Sequence, residues 1–241
     1  MSEEIEYLDD NTPPPGAEMT MIETFIAAFT KPKVETFVQI AAQPSATMGK
    51  GFLWAFVSAL ILFFLTSIAQ LFSANSPMDA FRELLPPEIG HQIPASVESS
   101  MGFGTLICGA PIGAIISVLF FVISVALVQW VAKLFGGTGS FEKLFYTFAV
   151  IFLPVAVISG GLTLLSAIPV VGLCFGVASL GLSIYSLVLH VLAVQAVNDL
   201  DTGKAVGSVL LPGLVVFLFF CCCFFLIGVF VALLPSSQGL Y

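Results

Sequence analysis

The chain has 241 residues, 58% of them hydrophobic and only 9% charged, with a formal net charge of −8. A soluble domain carries about 25% charged residues, so most of this chain cannot present a water-facing surface, and a lipid bilayer is its expected solvent. Nucleic acid is excluded as a partner because no basic stripe exists. The acidity is local: Glu3, Glu4, Glu6, Asp9, Asp10 and Glu18 all precede residue 19.

Residues 1–18, with Pro13-Pro14-Pro15-Gly16 among these acids, read as a disordered tail. The start is acidic and the first long apolar run begins near Phe52, so no cleaved signal peptide is expected and the first span acts as the insertion signal. Residues 19–44 hold two short amphipathic stretches. Ile22, Phe25, Ile26 and Phe29 recur at helical spacing, as do Val34, Phe37, Val38 and Ala41 after Pro32. Both are too short to span. They either lie in the membrane interface or pack under the bundle as cytoplasmic helices.

Five apolar runs follow in a domain covering 52–234, at about 52–72, 105–130, 144–166, 170–197 and 209–234. Each reaches the ~20 residues a membrane helix needs. Backbone groups in hydrocarbon must be satisfied within the segment, which selects helices, and the runs do not alternate as barrel strands do. The expected fold is an all-α membrane protein, a five-span bundle with N-terminal amphipathic helices. The one long connection, 73–102, carries Pro77, Pro86, Pro87 and Pro94 and a candidate short helix around 78–85.

Loop charges set the orientation. Lys31, Lys33, Lys50, Lys133, Lys143 and Lys204 fall on one side and Arg82 alone on the other. The positive-inside rule then places the N-terminus in the cytoplasm and the C-terminus outside it. Trp54, Trp130 and Tyr146 fall at the same cytoplasmic ends, where amphipathic rings prefer to sit.

Within the runs, Gly109 and Gly113, and Gly172 and Gly176, stand four apart, a spacing that lets helix backbones approach in lipid. They read as packing seams of one bundle, with a homo-oligomer interface as the competing use. Pro154 removes a hydrogen bond and should kink the third span. Cys108, Cys174 and Cys221-Cys222-Cys223 lie in apolar stretches and read as small apolar side chains. No Asp, Glu, Lys or Arg lies deep in a span, which argues against ion-coupled transport. Neither Gly-x-Ser-x-Gly nor His-Glu-x-x-His occurs. No enzyme activity, cofactor or metal is expected.

Gly136-Gly137-Thr138-Gly139-Ser140-Phe141 lacks the Gly-Lys-Ser/Thr ending and the preceding strand of a phosphate loop, so it reads as a tight cytoplasmic turn. His190 is either a neutral imidazole bonded between helices or part of a site open to the cytoplasm. A short link from Ala167 to Pro169 makes the third and fourth runs antiparallel neighbours, and a kink at Pro154 would part their cytoplasmic halves. The candidate partner or ligand site is therefore Tyr185, His190, Gly136, Gly137, Gly139 and Pro154. Two functions fit: an adaptor acting through helix packing and partner binding, or a transporter or lipid-moving protein. In the second, Ser117, Ser124, Gln129, Ser159, Thr163, Ser183 and His190 line a polar groove.

The segment Lys133-Leu134-Phe135-Gly136-Gly137-Thr138-Gly139-Ser140-Phe141, with Tyr146 and Pro154 downstream, resembles the central signature of the Yip domain family, the Ypt-interacting proteins. Lys31-Pro32, Phe37, Ile40 and Pro44 look like the N-terminal segment of its bacterial members. The likeness runs from about Lys31 to about Gly228. It implies a five-span plan with a cytosolic N-terminus and a non-enzymatic role in membrane organisation or trafficking. The acidic-aromatic Asp-Leu-Tyr-Gly-Pro motif of eukaryotic members is absent. That argues against direct GTPase binding and for a bacterial inner-membrane protein.

Overall fold

The structure, a computed structural model, describes residues 19–72, 109–166 and 172–233. The expected acidic tail, the connection 73–102, Cys108 and the link 167–169 lie outside the described residues. The described residues form seven helices: α1 (Met21–Thr30), α2 (Val34–Ala42), α3 (Met48–Phe72), α4 (Ala110–Leu134), α5 (Phe141–Ser166), α6 (Gly172–Asn198) and α7 (Thr202–Leu233).

Among the described residues four stretches are long and apolar enough to cross a membrane: Met48–Ala69, Ala110–Leu134, Phe141–Ser166 and Cys174–Asn198. In α7, where side chains are fully described, the apolar stretch is the shorter Thr202–Val215. Four of the five expected spans therefore stand on length and composition. The helices start or stop about a turn away from the apolar runs because polar residues cap them. The Thr47 hydroxyl accepts the Lys50 N–H and the Ser140 hydroxyl the Lys143 N–H, each at 3.4 Å. The Glu142 carboxylate on α5 accepts the Met48 N–H on α3 at 2.9 Å, so one helix caps the start of another.

The centre of the bundle is the first half of α5. Leu144 through Ile151 are buried without a break, which a helix allows only when neighbours cover its whole circumference. α3 packs along α5 in the same direction, with Gly51 against Phe145 near one end and Gly160 against Leu65 near the other. α4 packs mainly on α3 and reaches α5 through Phe121, α6 packs on α5, and α7 bridges α6 and α4. Away from these contacts α4 shows a helical stripe of exposed Ile112, Ile115, Ile116, Leu119, Phe120, Ile123 and Leu127. Soluble monomers rarely leave so large an apolar patch uncovered; here it is the face offered to lipid.

The glycine seams differ from the expected pair. A Cβ at Gly113 would meet the Phe63 ring at 2.9 Å, so that seam exists. Gly176 is exposed and a Cβ there meets nothing within 4 Å, so it is no seam of this bundle. Gly51 and Gly160 are the closer approaches, because both lie on the α3–α5 interface, where the backbones run side by side. α5 continues helically through Pro154, whose missing N–H leaves the Val150 carbonyl without its helical donor.

Candidate partner and ligand site

α1 and α2 are not separate from the bundle. α1 opens with a capping box: Thr20 and Glu23 each take the other's backbone N–H. Thr24 and Ala28 then face inward, and the Phe25 ring meets Trp54 edge to face at 5.0 Å. Phe37, Ile40 and Ala41 of α2 are buried against α5 and α6. Both helices therefore pack under the bundle. They also leave Met21, Ile22, Ile26 and Val38 exposed, an apolar face beside Lys31 and Lys33.

Tyr185 belongs to this attachment. Its hydroxyl donates to the Phe29 carbonyl, one of the last carbonyls of α1 that lack a helical partner, and its ring meets the Phe29 ring at 5.1 Å. The interhelical gap expected beside Tyr185 is thus where α1 docks. His190 lies one turn further along α6. Its Nδ1 is 2.6 Å from the Ser186 carbonyl oxygen, and its ring meets Phe148 of α5 edge to face at 4.5 Å. Its polar contacts stay on its own helix.

The glycine turn sits elsewhere. α4 ends as Gly136 swings to φ 93°. The Gly136 N–H then bonds the Lys133 carbonyl and the Gly137 N–H the Ala132 carbonyl, a Schellman closure needing a residue that tolerates positive φ. α6 ends in a comparable way, with Asp199 at φ 53° and the Leu200 N–H on the Gln195 carbonyl. The two turns interlock. The Thr138 N–H donates to the Asn198 carbonyl at 3.1 Å. Buried Gln129 donates through Nε2 to the Gly139 carbonyl at 2.7 Å and to Asn198 Oδ1 at 3.0 Å. The Gly139 carbonyl fixes the orientation of the Gln129 amide, since only its NH₂ group can face an acceptor. Gln129 Oε1 and Asn198 Nδ2 are buried without a hydrogen-bond partner. A Cβ at Gly139 would fall 2.3 Å from the Val197 carbonyl oxygen, and one at Gly137 2.9 Å from Asn198 Cβ. The glycines are there so that backbone can meet backbone.

Gly136, Gly137 and Gly139 are therefore brought to the end of α6, whereas Tyr185 binds α1, His190 packs on Phe148, and Pro154 lies further along α5. Sequence reasoning missed the pairing of Asn198 with Gln129. The signal that could have found it is two long polar amides in otherwise apolar helices, each within a few residues of a turn. It also missed the Thr20-x-x-Glu23 capping pattern. Three of the candidate groove hydroxyls are held on their own helices. Ser124, Thr163 and Ser183 donate to the carbonyls of Phe120, Ser159 and Ser179, each four residues earlier on its own helix. Among the described residues no group of three His, Cys, Asp or Glu could hold a metal ion.

One cavity of about 290 Å³ opens at the α1–α2 end, lined by Met19, Met21, Thr24, Gln43, Ser45, Lys50, Leu53, Trp54 and Tyr146. None of the six candidate residues lines it. A family model described as the Yip1 domain matches residues 26–236, a span that includes α2 to α7 and the interlocked turns. Comparison with curated proteins finds no match, and comparison with solved structures finds none.

Proposed function

The chain belongs to the Yip1 domain family, and from that premise we propose that it is a non-enzymatic integral membrane protein of membrane organisation or trafficking, acting through helix packing and partner binding. The observation that carries this reading is the destination of the polar groups. Inside the long helices the Ser124, Thr163 and Ser183 hydroxyls turn back onto their own backbone, while α1 and α2 form a platform that exposes Met21, Ile22, Ile26 and Val38. An apolar face flanked by Lys31 and Lys33 at the end of a bundle suits a membrane-bound partner.

In this reading α7 is the fifth span, with helical backbone to Leu233. The six lysines then lie on the cytoplasmic side with the N-terminus, and the C-terminus lies opposite. The proposal includes placement in a bacterial inner membrane, and no direct GTPase contact. Reporters inserted at Gly137 and fused after Tyr241 should lie on opposite sides.

The deciding experiment pairs two measurements. The purified protein in liposomes should give no solute or lipid flux above empty liposomes. A photo-crosslinker at Ile26 in native membranes should capture a membrane protein. Saturable flux would replace the reading with the transporter or lipid-moving one, and capture of lipid alone would remove the partner surface.

A further inference from the structure

The cavity at the α1–α2 end is amphipathic by construction. Its polar wall is a directional chain: the Ser45 hydroxyl donates to Gln43 Oε1 at 3.2 Å, Gln43 Nε2 to the Thr24 hydroxyl at 3.4 Å, and Thr24 to the Thr20 carbonyl at 3.0 Å. Thr24, Gln43 and Tyr146 are each more than nine-tenths buried. Met19, Met21, Leu53 and Trp54 also line the cavity. Lys50 lines the same cavity. Of the described carboxylates, Glu23 is engaged with Thr20 and Glu142 with the Met48 N–H. The Lys50 side chain is exposed and makes no ion pair among the described residues.

We propose that this cavity binds the phosphate-bearing headgroup of an anionic phospholipid, with the Lys50 ammonium on the phosphate and the acyl chains leaving over Leu53. Three observations select that ligand class. The volume lies at the lower edge of the ~300–1,000 Å³ of small-molecule sites, which suits a headgroup and not a whole lipid. A lysine acts on phosphate as a point charge with three donors, and the second N–H of the Gln43 amide adds a neutral donor. The cavity opens at the start of α3, the first helix long and apolar enough to cross a membrane, beside exposed Phe52 and Leu53. A soluble phosphate has no use for that apolar rim. The inference needs only that α3 lies in a bilayer, so it stands or fails separately from the partner-binding reading.

The test uses the full chain in detergent. Trp54 and Trp130 are the only tryptophans, and exposed Trp130 is replaced as Trp130→Phe so that Trp54 reports alone. Short-chain phosphatidylglycerol should change Trp54 emission saturably, and the matching diacylglycerol should not. Lys50→Ala should weaken binding about tenfold, the cost of one charge-assisted hydrogen bond. Lys50→Arg should restore most of it, and Lys133→Ala should change nothing. Lys50→Met keeps the aliphatic stem and replaces Lys50→Ala if that variant aggregates. An equal response to diacylglycerol, or equal losses in the Lys50 and Lys133 variants, overturns the site. Inorganic phosphate matching the lipid overturns the lipid assignment and leaves a phosphate site.

Discussion

The Tyr185 hydroxyl reaches across 156 positions of sequence to the carbonyl of Phe29, and their rings meet edge to face. One side chain therefore both satisfies the open end of α1 and fixes it to α6. Tyr185→Phe should keep the ring contact and lose the hydrogen bond, at a cost of ~1 kcal/mol. Hydrogen exchange should quicken at the amides of α1 and stay unchanged at Leu144 to Ile151. Uniform change across the bundle would show that Tyr185 supports the whole fold and not the attachment.

The interlocked turns predict a contrast between two glycines. Gly139→Ala forces a methyl group to within 2.3 Å of the Val197 carbonyl oxygen, where backbone must move. The cost should be at least the ~1–3 kcal/mol of an overpacked site. Gly176→Ala meets no atom within 4 Å and gains helix propensity worth up to ~1 kcal/mol. In detergent, Tm should fall for the first and hold or rise for the second. A fall at Gly176 would point to contact with a second copy of the chain.

Gln129 and Asn198 hold each other while each leaves one polar atom buried without a partner. Removing both should cost less than the sum of removing each alone, because a single substitution strands the other amide. Gln129→Leu and Asn198→Leu should each destabilise, and the double variant should lose less than their sum, with a coupling of ~0.5–3 kcal/mol. Strict additivity in chemical denaturation would mean that the two amides act independently.

The capping box at Thr20 holds the Glu23 carboxyl below its usual value of 4.5, through hydrogen bonds from the Thr20 backbone and side chain. A depressed carboxylate pKa contributes stability that is present above the unfolded value and is lost as pH falls through the folded one. Exchange protection of the first turn of α1 should therefore be steady above about pH 5 and decline on acidification below the ordinary Glu range. Glu23→Gln keeps the box geometry and should abolish that decline. An unchanged acid profile in the variant would assign the fraying to another group.

The long helices were legible because a run of apolar residues constrains its own backbone. The span starts at Phe52 and Leu144 were read late, since Thr47 and Ser140 extend those helices by capping rather than by hydropathy. The glycine turn was recognised as a turn, yet its partner was not. Nothing local in Gly137-Thr138-Gly139 encodes Asn198, and the match depends on two chain reversals arriving together. Gly176 misled for the complementary reason: a four-residue spacing shows which face of a helix is smooth, and the neighbour decides whether anything lies on it. Lys50 was read only as a topology charge, because the walls of its cavity come from α1, the α2–α3 connection and α5.

An apolar helix in lipid slides along its neighbour at small cost, because one methyl-rich turn looks much like the next and lipid is as apolar as leucine. The Gln129–Gly139–Asn198 knot ends that freedom. A slip of α6 by one turn, ~5.4 Å, would move Asn198 out of reach of both Gln129 and Thr138 and strand two amides in a dry interior. The four helices that enter and leave these two turns are thereby held at one height relative to one another.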